Sequence, residues 1–254
     1  KLKTKKVQKS SLILNMSAQK EVYLLDAGNT LLKLALVQDG VFQKVERFSR
    51  QDFPFSNLQR NIPIAFSSVI DESLRNLLCA HFDRTFEITS MISLPFQMAY
   101  QSPHTLGIDR LCNAAALARQ NSGLPRLAID LGTCIKFDFL DAQNHYIGGS
   151  ISPGLQMRAK AMAHFTAKLP EVEGKQTQEL IGKNSTECLE IGTYLGWQKE
   201  IEGLMSAYRE RYPELVVVLT GGDTKHFDLG QKNGIFVHEN LTLEGILALY
   251  QANE

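Results

Sequence analysis

The stretch Val22-Tyr23-Leu24-Leu25-Asp26-Ala27-Gly28-Asn29-Thr30 decides the fold because it returns later in the chain as Leu127-Ala128-Ile129-Asp130-Leu131-Gly132-Thr133. Each copy opens as an apolar run of strand length and breaks at an Asp-x-Gly turn. Each then resumes as a second apolar run, Leu32 to Val37 in the first and Ile135 to Leu140 in the second. Gln38-Asp39-Gly40 closes the first hairpin and Asp141 to His145 the second. The interval between the copies is far longer than any solenoid period, so the repeat reads as a duplicated domain. Ser122-Gly123-Leu124-Pro125, just ahead of the second copy, reads as the boundary, which gives expected lobes over 21–124 and 125–254.

Outward from these corners the pattern alternates between strands and helices. Leu111 to Arg119 is rich in Ala and Leu. Asn184 with Glu187 three positions on forms a capping box, ahead of apolar positions at helical spacing that run to Pro213. Leu215 to Leu219 reads as a strand and Leu243 to Tyr250 as a closing helix. The expected class is α/β, with a mixed sheet flanked by helices in each lobe. Residues 1–20 carry several lysines and only Leu12-Ile13-Leu14 as an apolar run, too short for a secretory signal. They read as a disordered basic extension.

Composition narrows the function. The 254 residues hold 27 basic and 27 acidic groups, so no net field draws nucleic acid or an anionic membrane. No apolar run approaches the roughly 20 residues of a membrane-spanning helix. Cys79, Cys112, Cys134 and Cys188 lie far apart without metal-ligand spacing, which points to a reducing cytoplasm. There is no P-loop and no Gly-x-Gly-x-x-Gly after a strand. If a nucleotide binds, the duplicated corners must bind it.

Such a corner suits a phosphate. Glycine lets the backbone approach the oxygens, N–H groups and a threonine hydroxyl donate to them, and the aspartate can hold a hydrated cation that offsets their charge. A single Asp-x-Gly is usually an ordinary hairpin turn. Two of them after equivalent strands can grip a polyphosphate. Thr220-Gly221-Gly222-Asp223 after the Val-rich strand adds small residues that leave room for a flat ring.

These features resemble the superfamily of acetate kinase, sugar kinases, Hsp70 and actin, whose lobes are actin-like (ribonuclease H-like). Further elements narrow the resemblance. Tyr100 stands ahead of Leu106-Gly107-Ile108-Asp109-Arg110, and Gly148-Gly149-Ser150-Ile151-Ser152-Pro153-Gly154 follows the second corner. In this order the motifs resemble type III pantothenate kinase over about residues 22 to 250, with Gly-x-Asp-Arg as the element that sets this family apart.

The resemblance implies ATP-dependent phosphorylation of pantothenate to 4′-phosphopantothenate in a homodimer. It implies that Asp26, Gly28, Asn29, Thr30 and Lys33 meet the ATP phosphates, Asp26 with the associated magnesium. Gly132 and Thr133 form the second phosphate corner, and Gly221 and Gly222 complete the nucleotide site. Asp130 is implied as ligand of a monovalent cation, potassium or ammonium. Tyr100, Gly107, Arg110 and Thr186 are implied to hold pantothenate, and Asp109 to be the catalytic base, on a helix distant from the ATP corners. Cys134 and Lys136 depart from the small or hydroxyl residues of many members. Two alternatives are a non-catalytic nucleotide-binding regulator of transcription on the same fold and an ATPase acting on another substrate. Without the motif, Asp109 reads as a first-turn acid favoured by the helix dipole and Arg110 as a solvated surface charge.

Overall fold

The computed structural model describes residues 20–28, 31–67, 71–119, 123–228 and 234–254. The expected N-terminal extension up to residue 19, the corner residues Asn29 and Thr30, and Ser122 of the expected boundary lie outside the described residues.

The first sheet contains β1 (Glu21–Ala27), β2 (Leu32–Gln38), β3 (Val41–Phe48), β4 (Ile64–Ser67) and β5 (Thr85–Ile88), in the order β3-β2-β1-β4-β5. β1, β2 and β3 pair antiparallel, while β4 and β5 join in parallel after β1, as the crossover through α1 (Glu72–His81) demands. The Asp71 side chain caps α1 by accepting from the Leu74 N–H at 2.8 Å.

The second sheet repeats this order. β7 (Arg126–Leu131), β8 (Cys134–Leu140) and β9 (His145–Pro153) form the antiparallel run, and β10 (Val216–Thr220) and β11 (Ile235–Val237) add in parallel beside β7. The short β6 (Gln97–Met98) extends the outer edge, beside β9. The hydrophobic repeat in the sequence is thus a topological repeat: β9-β8-β7-β10-β11 is β3-β2-β1-β4-β5 over again.

The helices sort by face. α2 (Ile108–Arg119) and α5 (Leu241–Asn253) pack on each other between the sheets, α2 against β7 and β8, α5 against β1, β4 and β5. The closing helix therefore seals the first sheet although it belongs to the end of the chain. The two helices meet at Gly245, where an added Cβ would lie 1.8 Å from the Cys112 carbonyl oxygen. α3 (Leu155–Phe165) and α4 (Ser185–Arg211) follow β9. The expected capping box opens α4, with Asn184 Oδ1 accepting from the Glu187 N–H at 3.0 Å and Glu187 Oε2 from the Lys183 N–H at 2.7 Å.

Strand alternation divides the cores. Leu24 and Ala128 face the inner layer with α2 and α5, whereas Tyr23 and Leu25, and Leu127 and Ile129, face the outer core of their own sheet. Trp197 fills the outer core of the second sheet.

Candidate active site

The same alternation aims the chemistry. Asp26 stands two residues beyond Leu24 and Asp130 two beyond Ala128, so both carboxylates leave their strand ends on the inner faces, towards α2. Each has a lysine directly opposite on the next strand, Lys33 across β1–β2 and Lys136 across β7–β8. Such cross-strand pairs bring side chains within reach of each other.

The lysines do different things. Lys33 Nζ donates to the Glu239 carbonyl oxygen at 2.9 Å. Lys136 Nζ lies 2.7 Å from Asp130 Oδ2 and 2.5 Å from Asp109 Oδ2. Burial opposes the Lys136 charge, but the two carboxylates outweigh it and move its pKa above the ordinary lysine value. Asp26 is pushed up to about 6. Burial is the main cause, Lys33 opposes it, and Asp130 and Asp109 add repulsion. The sequence placed the helix bearing Asp109 at a distance from the corners, and the structure corrects this. Lys136 ties that helix to the second one.

β8 clamps the start of α2 through alternate residues. Lys136 holds Asp109, and Asp138, on the same face, holds Arg110: Arg110 Nε donates to Asp138 Oδ1 at 2.8 Å and an Nη to the Phe137 carbonyl at 3.4 Å. Arg110 is only 5% exposed, so the solvated-charge reading fails. Tyr146 also donates to Asp138 Oδ1, at 2.7 Å. Burial pushes Asp138 up to about 6, against the pull of Arg110 and Tyr146. The Arg110 guanidinium also lies 5.9 Å from the centre of the Tyr100 ring. Gly107 precedes α2 with its Cβ position 2.6 Å from Asp109 Oδ1, so any larger residue there would displace that carboxylate.

Thr220 pairs with Asp130 in the β10–β7 register, which carries Gly221 to the second corner. Gly221 has φ +96°, and an added Cβ would sit 2.3 Å from the Leu131 carbonyl oxygen and 2.5 Å from Asp130 Oδ1. Only glycine fits. At Gly222 the Cβ position meets nothing within 4 Å, which leaves the open space expected beside a flat ring.

Of the residues singled out in the sequence, Asp26, Lys33, Tyr100, Gly107, Asp109, Arg110, Asp130 and Gly221 thus share one region of the inner layer. Gly28 follows Asp26 and its N–H donates to the Leu31 carbonyl at 3.1 Å. Gly132 donates to the Cys134 carbonyl at 3.2 Å, and Thr133 is exposed beside it. Thr186 is exposed in the first turn of α4, and among the described residues no hydrogen bond ties it to the cluster. Sequence reasoning missed Asp138 and Tyr146, and flagged Lys136 without a role. The signal for Asp138 was its even spacing from Lys136 on one strand.

The sequence profile of the family described as Type III pantothenate kinase matches residues 22–207. Proteins named type III pantothenate kinase from Christiangramia forsetii and Cytophaga hutchinsonii are 34% and 35% identical, each over 91% of this chain and 98% of the relative. A Bacteroides fragilis protein of the same name is 35% identical over 91% of this chain and 97% of its own. Among solved structures, a candidate Baf family transcriptional activator from Campylobacter jejuni superposes with a TM-score of 0.55 at 16% identity, over 91% of this chain and 97% of that one. A candidate N-acetylmannosamine kinase from Listeria monocytogenes gives 0.50 at 11% identity, over 92% of this chain and 100% of that one. At these identities the structural matches establish the duplicated fold alone.

Proposed function

The chain belongs to the type III pantothenate kinase family, and from that premise we propose that it moves the γ-phosphoryl group of ATP to the primary hydroxyl of pantothenate, giving ADP and 4′-phosphopantothenate, the first step of coenzyme A biosynthesis. The observation that carries the reading is the convergence of Asp26, Asp130 and Asp109, from two repeated corners and the Gly-x-Asp-Arg helix, on one inner face. A non-catalytic regulator has no use for a carboxylate poised on that helix.

Phosphoryl transfer has a loose transition state, so it asks for in-line placement and charge neutralisation. The first corner suits magnesium carried with ATP, because a buried carboxylate held up at about 6 gains from a cation. Asp26 would hold the ion, with Gly28, Asn29, Thr30 and Lys33 along the phosphates, and the ion supplies neutralisation of the phosphate charge. Gly132 and Thr133 serve the phosphates from the second corner, and Gly221 and Gly222 border the nucleotide ring. Asp109 orients the substrate hydroxyl and accepts its proton. Arg110, fixed by Asp138, keeps donors that neither Asp138 nor Phe137 uses, and these suit the pantothenate carboxylate. Tyr100 and Gly107 border that pocket, and Thr186 belongs to the same reading as a substrate contact.

The expected potassium or ammonium on Asp130 does not fit the residues present, because the Lys136 ammonium already sits 2.7 Å from that carboxylate. Division into two lobes is supported by the repeated strand order, but not with bounds at 21–124 and 125–254: β6 and α2 join the second sheet, and α5 covers the first. A homodimer is supported by exposed Ile147 and Ile151 on β9 and Phe165 on α3, and a reducing cytoplasm by four free thiols. No helix among the described residues is long and apolar enough to cross a membrane.

The test is ADP release from Mg·ATP, in potassium buffer, with pantothenate set against a panel of sugars. Pantothenate alone should elicit ADP, together with 4′-phosphopantothenate by mass. ADP release driven by a sugar, or none with pantothenate, overturns the reading.

A further inference from the structure

Three carboxylates meet at the second corner and its neighbours, close enough that Asp130 and Asp109 both raise the pKa of Asp26. A polyphosphate brought among them adds more negative charge. Something besides magnesium must offset it, and a mobile monovalent ion is one solution. Lys136 offers another. Its position is set by backbone pairing on both sides, opposite Asp130 on β7 and opposite Ile151 on β9, so the ammonium is held by the sheet itself. Its side chain is 16% exposed and its charge is secured by two carboxylates. An ammonium has three N–H donors. Asp130 and Asp109 take two, which leaves the third for a phosphate oxygen.

We infer that Lys136 is a tethered counter-cation in the catalytic site, so that turnover needs no free potassium or ammonium. The inference rests on the kinase reading. It makes Lys136 the residue that joins the phosphate corner to the base: the same nitrogen neutralises Asp130 and holds Asp109 in place for the acceptor hydroxyl. The rival is a merely structural bridge that pins α2 to β8 and plays no part with phosphate.

The test compares potassium, ammonium and tetramethylammonium chloride at equal ionic strength. The wild-type rate of pantothenate-dependent ADP release should agree among them within about twofold. A rate that falls at least about tenfold in tetramethylammonium and returns with potassium overturns the inference and leaves the kinase reading intact. Absence of pantothenate-dependent release in every salt strikes that reading instead. Lys136→Thr empties the position. It should lower kcat at least about tenfold in tetramethylammonium and recover in ammonium or potassium, since removing one preorganised charge contact typically costs about 10²–10³-fold. A loss that no cation rescues marks a structural bridge and overturns the inference. Calorimetry of Mg·ADP binding gives a readout without turnover: wild-type affinity should ignore the cation, whereas the Lys136→Thr affinity should rise with ammonium. Should Lys136→Thr fail to fold, Lys136→Ala empties the same position and carries the same comparison.

Discussion

The two Asp-x-Gly corners are copies in sequence and in register, yet they handle charge in opposite ways. At the first, Lys33 faces Asp26 and donates a hydrogen bond to the Glu239 carbonyl, and burial outweighs its charge and raises the Asp26 pKa to about 6. At the second, Lys136 faces Asp130, bonds it, and reaches on to Asp109. The first corner holds a buried carboxylate whose charge burial opposes; the second pairs its carboxylate with an ammonium. Duplication therefore supplied two equivalent backbone frames, and single side chains one strand away set their charges apart; in the proposed function the first becomes the nucleotide-metal corner and the second the counter-charged corner beside the acceptor.

The largest expected effect breaks the second corner alone. Asp109→Asn keeps the shape and a hydrogen bond to Lys136 but removes the base. It should lower kcat about 10²–10⁴-fold while the ATP KM moves by no more than about threefold, since every side chain assigned to the ATP phosphates is kept. Steady-state kinetics decide: near-native kcat would remove Asp109 from the chemistry. Next comes Asp26→Asn, which strips the cation ligand of the first corner. Turnover should fall about 10²-fold or more, with the loss seen as weakened Mg·ATP binding by calorimetry.

How far these differences could be read beforehand varies by element. The strands of both corners, the capping box at Asn184 and the apolar face of α4 were legible because strand alternation, a cap and an apolar helical face are local signals. The lobe repeat was legible because two Asp-x-Gly turns follow equivalent apolar runs. The return of α5 to the first sheet was not, because nothing local tells a closing helix which sheet it covers. Burial of Arg110 was also hidden. Its partner Asp138 lies on another element, and only the fold reveals that β8 grips α2 through Lys136 and Asp138 in turn.

A smaller effect belongs to the clamp. Arg110→Lys loses the fork that serves Asp138 and the Phe137 carbonyl together, and should raise the pantothenate KM about tenfold with kcat less affected. An unchanged KM would place the substrate carboxylate elsewhere. The smallest effect expected is at Lys33, whose amine is bonded to a backbone carbonyl. Lys33→Met should raise the ATP KM by about three- to fivefold, as befits a partly exposed charge. A loss as great as that at Lys136 would erase the contrast between the corners.

Stability of the ligand-free protein tests that contrast most directly. Because the Asp26 pKa is raised above its ordinary 3.8 to about 6, the folded state holds the proton more tightly, and stability falls as pH rises through that window. Asn at this position carries no charge to bury, so Asp26→Asn should stabilise the protein by up to about 3 kcal/mol at pH 8, with the gain vanishing towards pH 4. Lys136 is the reverse case. Its raised pKa makes the ion pair a stabilising contact throughout neutral pH, lost only in alkali above the ordinary lysine range. Asp130→Asn should therefore cost about 1–3 kcal/mol at pH 8. The measurement is urea unfolding of wild type, Asp26→Asn and Asp130→Asn at pH 8 in metal-free buffer. Opposite signs for the two substitutions are predicted; the same sign for both would contradict the account.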